Sequence, residues 1–279
     1  MSSETNPPTG APTRAMDTLI RPTYTLWWRE IVRFYRQRSR IVGALATPIL
    51  FWILLGSGFA ETFRADGGPD GVSYAEYFYP GAMTMVVLFT AIFSTISVIE
   101  DRKEGFLQAV LVAPVARSTV VLGKILGGAT LALGQALLLL IAAPLVGLDL
   151  GMGDFVAVTV ILAIIAFGLT TLGFMIAWRM DSTQGFHAIM NLVLIPMWLL
   201  SGAFFPAAGA SGWLRVLMTL NPLTYGMAAL RRCLYPAGVT VGPDVPGLAF
   251  ALVVTVGFAV VAFLIARAQA SRPLDVGLA

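Results

Sequence analysis

The sequence contains very little cysteine, histidine or charge. Cys233 is its single cysteine and His187 its single histidine, which excludes an internal disulfide, a multi-cysteine metal cluster and a histidine-rich zinc site. Charged residues make up 12% of the 279 residues, whereas hydrophobic residues make up 57%, and the mean hydropathy is +0.82. Since about a quarter of the residues of a soluble domain are charged, the composition predicts a membrane protein.

Common catalytic and nucleotide-binding motifs are also missing. The chain has no G-x-x-x-x-G-K-[ST], H-E-x-x-H, C-x-x-C or G-x-S-x-G pattern, which are the signatures of P-loops, zinc proteases, redox dithiols and esterases. We therefore expect no catalytic residue, no ATPase site and no cofactor or metal bound by this chain. The small net charge of +3 gives no reason to expect a nucleic-acid partner.

Six apolar stretches are long enough to cross a hydrocarbon core of about 30 Å as helices. They cover residues 41–60, 80–99, 120–146, 155–178, 186–205 and 247–266. The central portions of these stretches contain no Asp, Glu, Lys or Arg, which argues against a proton- or ion-coupled carrier because such carriers usually relay charge through ionisable groups in the membrane. The pattern predicts an all-α protein with six membrane spans.

The distribution of basic residues predicts the orientation of these spans. On the side that holds the N-terminus lie 14 of the 18 Lys and Arg residues, and four lie on the opposite side. By the positive-inside rule, both termini lie in the cytoplasm of a multi-pass protein of the cytoplasmic, or plasma, membrane.

The residues before the first span predict a helix that lies in the membrane interface. We interpret 1–22 as a disordered cytoplasmic tail, 23–40 as an amphipathic helix, 23–270 as one transmembrane domain and 271–279 as a second tail. Aromatic side chains and arginines occupy neighbouring faces of this helix, which suits contact with headgroups and lipid phosphates. Its marker residues are Trp27, Trp28, Arg29, Arg33 and Arg36. A soluble helix packed on another domain is the alternative.

A charged insert, 101–124, separates the second and third spans. Phe106, Leu107, Val110 and Leu111 share one face of a helix too short to cross the membrane, and Pro114 prevents its continuation. We expect this helix to lie along the cytoplasmic surface with its apolar face against something else. The alternative is an amphipathic loop that rests on headgroups.

Polar and aromatic residues in the spans and in the external segment 206–246 suggest further sites. Phe89, Phe93, Gln135 and Asn191 are candidates to line a pathway, the alternatives being lipid-facing packing for the aromatic residues and interhelical hydrogen bonds for the amides. The Asn221-Pro222 break predicts two short external helices that cap the bundle. We expect Arg231 and Arg232 to contact headgroups, with an acidic substrate as the alternative.

Two segments resemble the ABC-2 type permeases, the membrane subunits of a class of ABC exporters. The first comprises Asp101-Arg102, Gly105-Phe106-Leu107, the run Val110 to Val115, Arg117 and Leu122-Gly123-Lys124; the second comprises Ser201 to Pro206, Asn221 to Gly226 and Arg231. The daunorubicin-resistance and nodulation-factor branch is the most similar. Lys103 stands where the family pattern has an acidic residue, which comes one place later as Glu104.

The resemblance implies a permease that moves an amphipathic drug, lipid or glycan-type substrate outward. ATP and Mg²⁺ would bind two copies of a separate P-loop subunit, and a second permease would complete a homodimer or heterodimer. The insert would be a coupling helix, with Glu104, Gly105, Phe106, Leu107, Val110, Leu111, Pro114 and Arg117 as ATPase-coupling residues. On this interpretation Arg117 pairs with an acidic or phosphate group. Asn221, Pro222, Tyr225 and Arg231 would form an external gate. The alternatives are an ion- or proton-coupled secondary transporter and a membrane-embedded enzyme or scaffold.

Overall fold

The computed structural model describes residues 11–59, 73–113, 115–235 and 246–271. Within these ranges the chain is helical and has no β-strand, which confirms the all-α fold class. The helices are α1 (Ala11–Arg36), α2 (Arg38–Gly58), α3 (Tyr74–Lys103), α4 (Phe106–Val112), α5 (Arg117–Ala142), α6 (Met152–Ala177), α7 (Thr183–Trp198), α8 (Gly212–Leu220), α9 (Pro222–Leu234) and α10 (Leu248–Ser271).

Six of these elements are long and apolar enough to cross a membrane, as predicted. They are α2, α3, α5 with the 3₁₀ turn Ala143–Val146, α6, α7 with the π-helical turn Leu199–Ala203, and α10. Their most apolar windows have mean hydropathies between 1.6 and 2.9, which is what a lipid environment requires of exposed helix surfaces.

The N-terminal helix begins earlier and ends earlier than the predicted 23–40. It is continuous from Ala11 to Arg36, so the part of the predicted tail that is described is helical, while residues 1–10 lie outside the described part. At Gln37 the backbone leaves the helical region with φ −102° and ψ 73°, and α2 begins at Arg38. The helical periodicity of the sequence continues through this break because both sides are helical. The sequence therefore assigns Arg40 to the N-terminal helix, whereas it lies in α2.

Helix α3 is the centre of the bundle. Ser73 and Glu76 form a capping box at its start, which satisfies two of the N–H groups that a helix N-terminus leaves unpaired. Of its most apolar window, 89% is buried, against 17% for α2 and 22% for α10. A displacement of α3 therefore affects most of the core, whereas α2 and α10 present broad apolar surfaces outward.

The bundle has two ends, which we name the α4 end and the α9 end. At the α4 end, the Arg102 guanidinium donates hydrogen bonds to the carbonyls of Trp178 and Met180 in the turn after α6. Arg117 lies at the same end and donates to the carbonyls of Ala270 and Ser271, the last residues of α10. These contacts bring the ends of α3, α5, α6 and α10 together.

Close packing of α1 on α5 depends on two glycines one helical turn apart. A Cβ atom on Gly123 would lie 2.8 Å from Leu26 Cβ, and one on Gly127 would lie 2.6 Å from Glu30 Cβ. Real Cβ atoms do not approach so closely, so only glycine permits this distance between the helices. The consequence is that Glu30 of α1 reaches Lys124 of α5.

Candidate functional site

At the α4 end, the turn between α3 and α4 is made by Glu104 and Gly105. Gly105 has φ +76° and is the N-cap residue of α4. This left-handed conformation costs an L-residue about 1–2 kcal/mol, and glycine adopts it freely. Glycine therefore lets α4 turn away from the axis of α3 within one residue.

Helix α4 packs its apolar face onto the protein itself. Leu107 is only 1% exposed and belongs to the hydrophobic core, and the half-buried Phe106 and Val110 pack against that core. The predicted docking role of Leu107 is therefore wrong, because a buried side chain has no surface left for a partner. Pro114 and the side chain of Leu111 lie outside the described residues.

The outward face of α4 is the opposite one. Gln108 and Ala109 are exposed, and Val112 is 86% exposed at the end of the helix. Lys103 and Glu104 are exposed at its start. This is a small, mixed surface with an apolar tip and a charged rim.

Beneath α4 lies a group of charged side chains that we call the ion cluster. It consists of Arg29, Glu30, Arg33, Arg40, Glu100, Asp101 and Lys124. Asp101, the last acidic residue of α3, is fully buried and accepts hydrogen bonds from Arg29 at 2.7 and 2.8 Å, from Arg33 at 2.5 Å and from Lys124 at 2.5 Å. The cluster therefore joins α1, α2, α3 and α5 at the base of α4.

The charges in the cluster largely balance one another. Glu30 accepts from Lys124 at 2.8 Å, and Glu100 accepts from Arg33 and from Arg40. Burial lowers the pKa of the Arg29 guanidinium, but its hydrogen bonds and its attraction to Asp101 outweigh this and raise the pKa above the ordinary value. Arg29 therefore stays charged at every physiological pH.

The predicted interfacial residues of α1 divide between two roles. Arg29 and Arg33 bind the carboxylates of α3, which corrects the expectation that both contact lipid phosphates. Arg29 also lies 3.8 Å from the centroid of the Phe106 ring, and the indole N–H of Trp27 donates to Thr130. Trp28 and Arg36 remain exposed.

Arg117 has a structural partner within the chain. It binds the terminal carbonyls of α10, at 3.0 Å for Ser271, and such carbonyls carry the negative end of the helix dipole. The contact ties the start of α5 to the last span.

At the α9 end, the predicted gate residues brace an irregular helix end. The π-helical turn after α7 closes at Gly202, which has φ +80°. Asn221 caps α9 by accepting from the Leu223 N–H, and its amide donates to the Met197 carbonyl at 2.6 Å. Pro222 occupies the first turn of α9, where its missing N–H costs nothing.

Arg231 and Tyr225 complete this bracing. Arg231 is 4% exposed, donates to the Gly202 carbonyl at 2.7 Å and lies 4.0 Å from the centroid of the Tyr77 ring. The headgroup contact expected for Arg231 is therefore wrong. Tyr225 donates to the Thr219 carbonyl. Burial raises the pKa of the Tyr235 phenol well above its usual value, so Tyr235 remains a neutral donor to the Glu76 carbonyl.

The four predicted pathway residues lie in different surroundings. Gln135 is buried between α3 and α5, where it accepts a 2.7 Å hydrogen bond from Thr90, so it does not line a pathway. Phe89 and Phe93 are half-buried and lie next to each other, and Phe93 also contacts His187 of α7. Asn191 is exposed on the outer face of α7, beside the 74% exposed Leu192.

Sequence reasoning gave no role to Glu30 and only a family-motif role to Lys124. Glu30 is the single acidic residue between Asp17 and Glu61, and an isolated acid in an arginine-rich helix is a usable signal for a buried ion pair. Lys124 offers no comparable signal, because a lysine near the start of a span ordinarily reaches back to the membrane surface.

These features define a multi-pass membrane protein whose α4 end is held together by buried charge. The sequence profile of the family described as "ABC-2 type transporter" matches residues 21–235. Since this is most of the chain, the protein belongs to the ABC-2 type transporter family.

Named relatives agree with this assignment. The chain is 26% identical over 256 residues to Nodulation protein J of Rhizobium leguminosarum bv. viciae. This match covers 91% of this chain and 93% of that protein. It is 25% identical over 215 residues to the putative transport permease ycf38 of Cyanophora paradoxa, covering 76% of this chain and 73% of the relative. The protein is thus the membrane subunit of a transporter.

Proposed function

We propose that this protein is the permease subunit of an ATP-driven exporter. It works with two copies of a separate P-loop subunit, which bind and hydrolyse ATP with Mg²⁺. Support comes from its family, from the absence of a P-loop motif in its sequence and from a short surface helix joined to the central span. The observation that carries the proposal is the exposed face of α4 above the ion cluster.

The ATP-binding subunit docks on the outward face of α4. Val112 supplies the apolar tip, and Gln108 and Ala109 lie next to it. Lys103 and Glu104 give the charged rim, and Glu104 lies 3.4 Å from Arg33. Helix α4 therefore remains the coupling helix, but the subunit contacts the face opposite to the one that the sequence predicted.

A push on α4 reaches the spans through three rigid contacts. Leu107 is anchored in the core, so α4 cannot slide without moving the residues around it. Asp101 connects α3 to α1 and α5, and Arg102 holds the turn between α6 and α7. Closure of an ATPase dimer therefore tilts α1, α3 and α5 as one unit, a rigid-body motion of the kind that couples distant sites in other proteins.

A second permease copy encloses the pathway. The outer faces of α2 and α7 are largely apolar and exposed, but α7 also presents Asn191 in mid-span. An amide facing lipid is costly, and contact with a polar substrate group or with the second copy removes that cost. Phe89 and Phe93 supply an aromatic wall nearby, which suits an amphipathic drug, lipid or glycan-type substrate.

The α9 end forms the external gate, and the α4 end faces the cytoplasm of the plasma membrane. The excess of Lys and Arg on the α4 side supports this orientation. Opening the gate requires breaking the contacts of Asn221 and Arg231 with the end of α7. Those contacts hold the gate closed until α1, α3 and α5 move together.

Reconstitution separates this function from a secondary transporter. The permease is placed in proteoliposomes with its ATP-binding subunit, and export of fluorescent lipid, glycolipid and daunorubicin probes is measured. We expect transport of at least one probe that needs ATP and stops with a Walker-lysine variant of the ATPase. Transport that a proton or sodium gradient drives without the ATPase would instead establish the secondary transporter.

A further inference from the structure

Three polar side chains form a line along one face of α7, which we name the polar stripe. Gln184, His187 and Asn191 follow one another at intervals of three and four residues, so they share a helix face. The stripe begins in the first turn of α7, at the α4 end of the bundle. At 1.5 Å per residue it extends about 10 Å towards the middle of the span.

The polar stripe has no hydrogen-bond partner within the described part of the chain. Gln184 and Asn191 are exposed, and the half-buried His187 contacts the rings of Phe93 and Phe186 without a hydrogen bond or an ion pair. An unpaired polar group costs free energy in hydrocarbon. Something other than lipid tails therefore covers this face of α7.

Beside the polar stripe, α2 and α7 leave a groove whose floor is α3. A Cβ atom on Gly43 of α2 would lie 3.7 Å from the Phe93 ring, and the centroid of that ring lies 6.0 Å from the centroid of the His187 ring. Phe93 stays half-buried although both helices contact it, and the half-buried Phe89 lies one turn further along α3. The groove thus combines a polar line on one wall with an aromatic floor.

The walls of this groove are neutral along the stripe. Helix α7 contains no charged residue in Thr183–Trp198, and α3 contains none in 77–99. Arg40 at the start of α2 donates to the Phe93 carbonyl, but Glu100 balances its charge. A charged group in the groove would lose water without gaining a free counter-ion, whereas hydroxyl groups can both donate to and accept from amides and imidazole.

We infer that the polar stripe binds the neutral, hydroxyl-rich head of the transported molecule, a glycan joined to an apolar tail. Gln184, His187 and Asn191 exchange hydrogen bonds with successive hydroxyl groups, and the tail lies over Phe89 and Phe93. His187 and Gln184 thereby become specificity-determining residues together with Asn191. The inference rests on the proposed function, because it takes the bound molecule to be the substrate of the exporter.

Native mass spectrometry of the purified full-length permease tests the site without ATP or the ATP-binding subunit. The protein is held in a detergent that carries no sugar and is titrated with three lipids of identical acyl chains. Their heads are a neutral disaccharide, phosphocholine and a trimethylammonium group. The same spectra resolve monomers from dimers, which matters because amides also pair between helices of two copies in a membrane.

Three variants are compared with the wild type. Asn191→Leu removes one amide, and the triple variant Gln184→Leu, His187→Leu and Asn191→Leu removes the whole stripe. The matched control combines Asn191→Leu with Leu192→Asn. It has the composition of the wild type but moves the amide about 100° around the helix, off the stripe.

We expect the wild type to bind the disaccharide lipid more tightly than the other two lipids. Asn191→Leu weakens this binding about two- to tenfold, the range that loss of one neutral hydrogen bond implies, and the triple variant loses the preference. The exchanged variant binds as weakly as Asn191→Leu, because its amide no longer faces the groove.

Several results would overturn the inference. They are a wild type with no preference for the disaccharide lipid, a preference that survives in the triple variant, and an exchanged variant that binds like the wild type. A dimer fraction that falls in the variants while each chain still binds the disaccharide lipid normally would show that a second copy covers the stripe. Since binding is measured without ATP, none of these results alters the ATP dependence on which the proposed function is tested.

Discussion

The carboxylate of Asp101 lies 2.5 Å from Nζ of Lys124, and both side chains are buried. The two residues belong to different spans, α3 and α5. Two further cations, Arg29 and Arg33, approach the same carboxylate from α1. Three helices therefore meet at one buried anion, directly below the turn that leads into α4.

Replacing Asp101 by Asn should destabilise the protein strongly. The substitution leaves Arg29, Arg33 and Lys124 without their shared counter-ion, and removing one member of a buried ion pair typically costs about 3–5 kcal/mol. Titration with SDS in mixed micelles measures the free energy of unfolding. Asp181→Asn is the control, because Asp181 is 88% exposed and its ion pair with Arg102 should be worth at most about 1 kcal/mol.

The double variant Asp101→Asn with Lys124→Met distinguishes charge balance from the loss of a single contact. It removes both charges of the pair, so the stability lost by the double variant should be smaller than the sum of the two single losses. Strictly additive losses would mean that Asp101 and Lys124 do not interact.

Alanine substitutions on the two faces of α4 should have different effects on stability. Leu107→Ala removes core contacts and should cost about 2–5 kcal/mol, whereas Val112→Ala should change stability by less than about 0.5 kcal/mol. The same SDS titration measures both variants. If Val112→Ala proved as destabilising as Leu107→Ala, the assignment of faces would be wrong.

Gly105→Ala should cost about 1–2 kcal/mol through backbone conformation alone. A Cβ atom at this position would meet nothing within 4 Å, so the cost comes from φ +76°. Gly134, inside α5, also has open space around its Cβ position. Gly134→Ala should therefore stabilise the helix by about 0.5–1 kcal/mol. The opposite signs of the two changes in unfolding free energy test this explanation.

Arg231→Met should loosen the end of α7. Loss of a charged donor to the Gly202 carbonyl costs about 1.5–3 kcal/mol, which corresponds to roughly ten- to hundredfold faster hydrogen exchange if opening is local. Mass spectrometry of peptides that cover 197–206 measures this exchange. Arg215→Gln, an exposed position on α8, is the control. Unchanged exchange in Arg231→Met would show that Arg231 does not brace this turn.

Periodicity predicted the six spans and the residues that share a face of α4, but not which face is covered. Phe106, Leu107 and Val110 form an apolar face in either case, and the sequence does not reveal whether that face meets a partner or the protein's own core. The distinction depends on long-range packing, which only the folded bundle determines. Similarly, the arginine pattern of α1 predicted an interfacial helix but not the carboxylates that bind Arg29 and Arg33.

Arg231 shows the same limit at the other end of the bundle. An arginine on the side of the membrane that holds few basic residues suggests a surface residue, because burial of a cation is costly. The carbonyl of Gly202 offsets that cost, and it is available only because α7 ends in a π-helical turn. No local sequence signal encodes this contact across about 30 residues, although both segments stand out by their resemblance to ABC-2 permeases.

Cross-linking from α4 tests the central claim most directly. The chain has one cysteine, so Cys233→Ser gives a background in which Val112→Cys can be labelled with a photoreactive maleimide. Val156→Cys is the control, exposed on α6 near the α9 end. In the complex with the ATP-binding subunit, we predict an adduct between that subunit and position 112, and none from position 156. A complex that yields no adduct from position 112 would contradict docking on the outward face of α4.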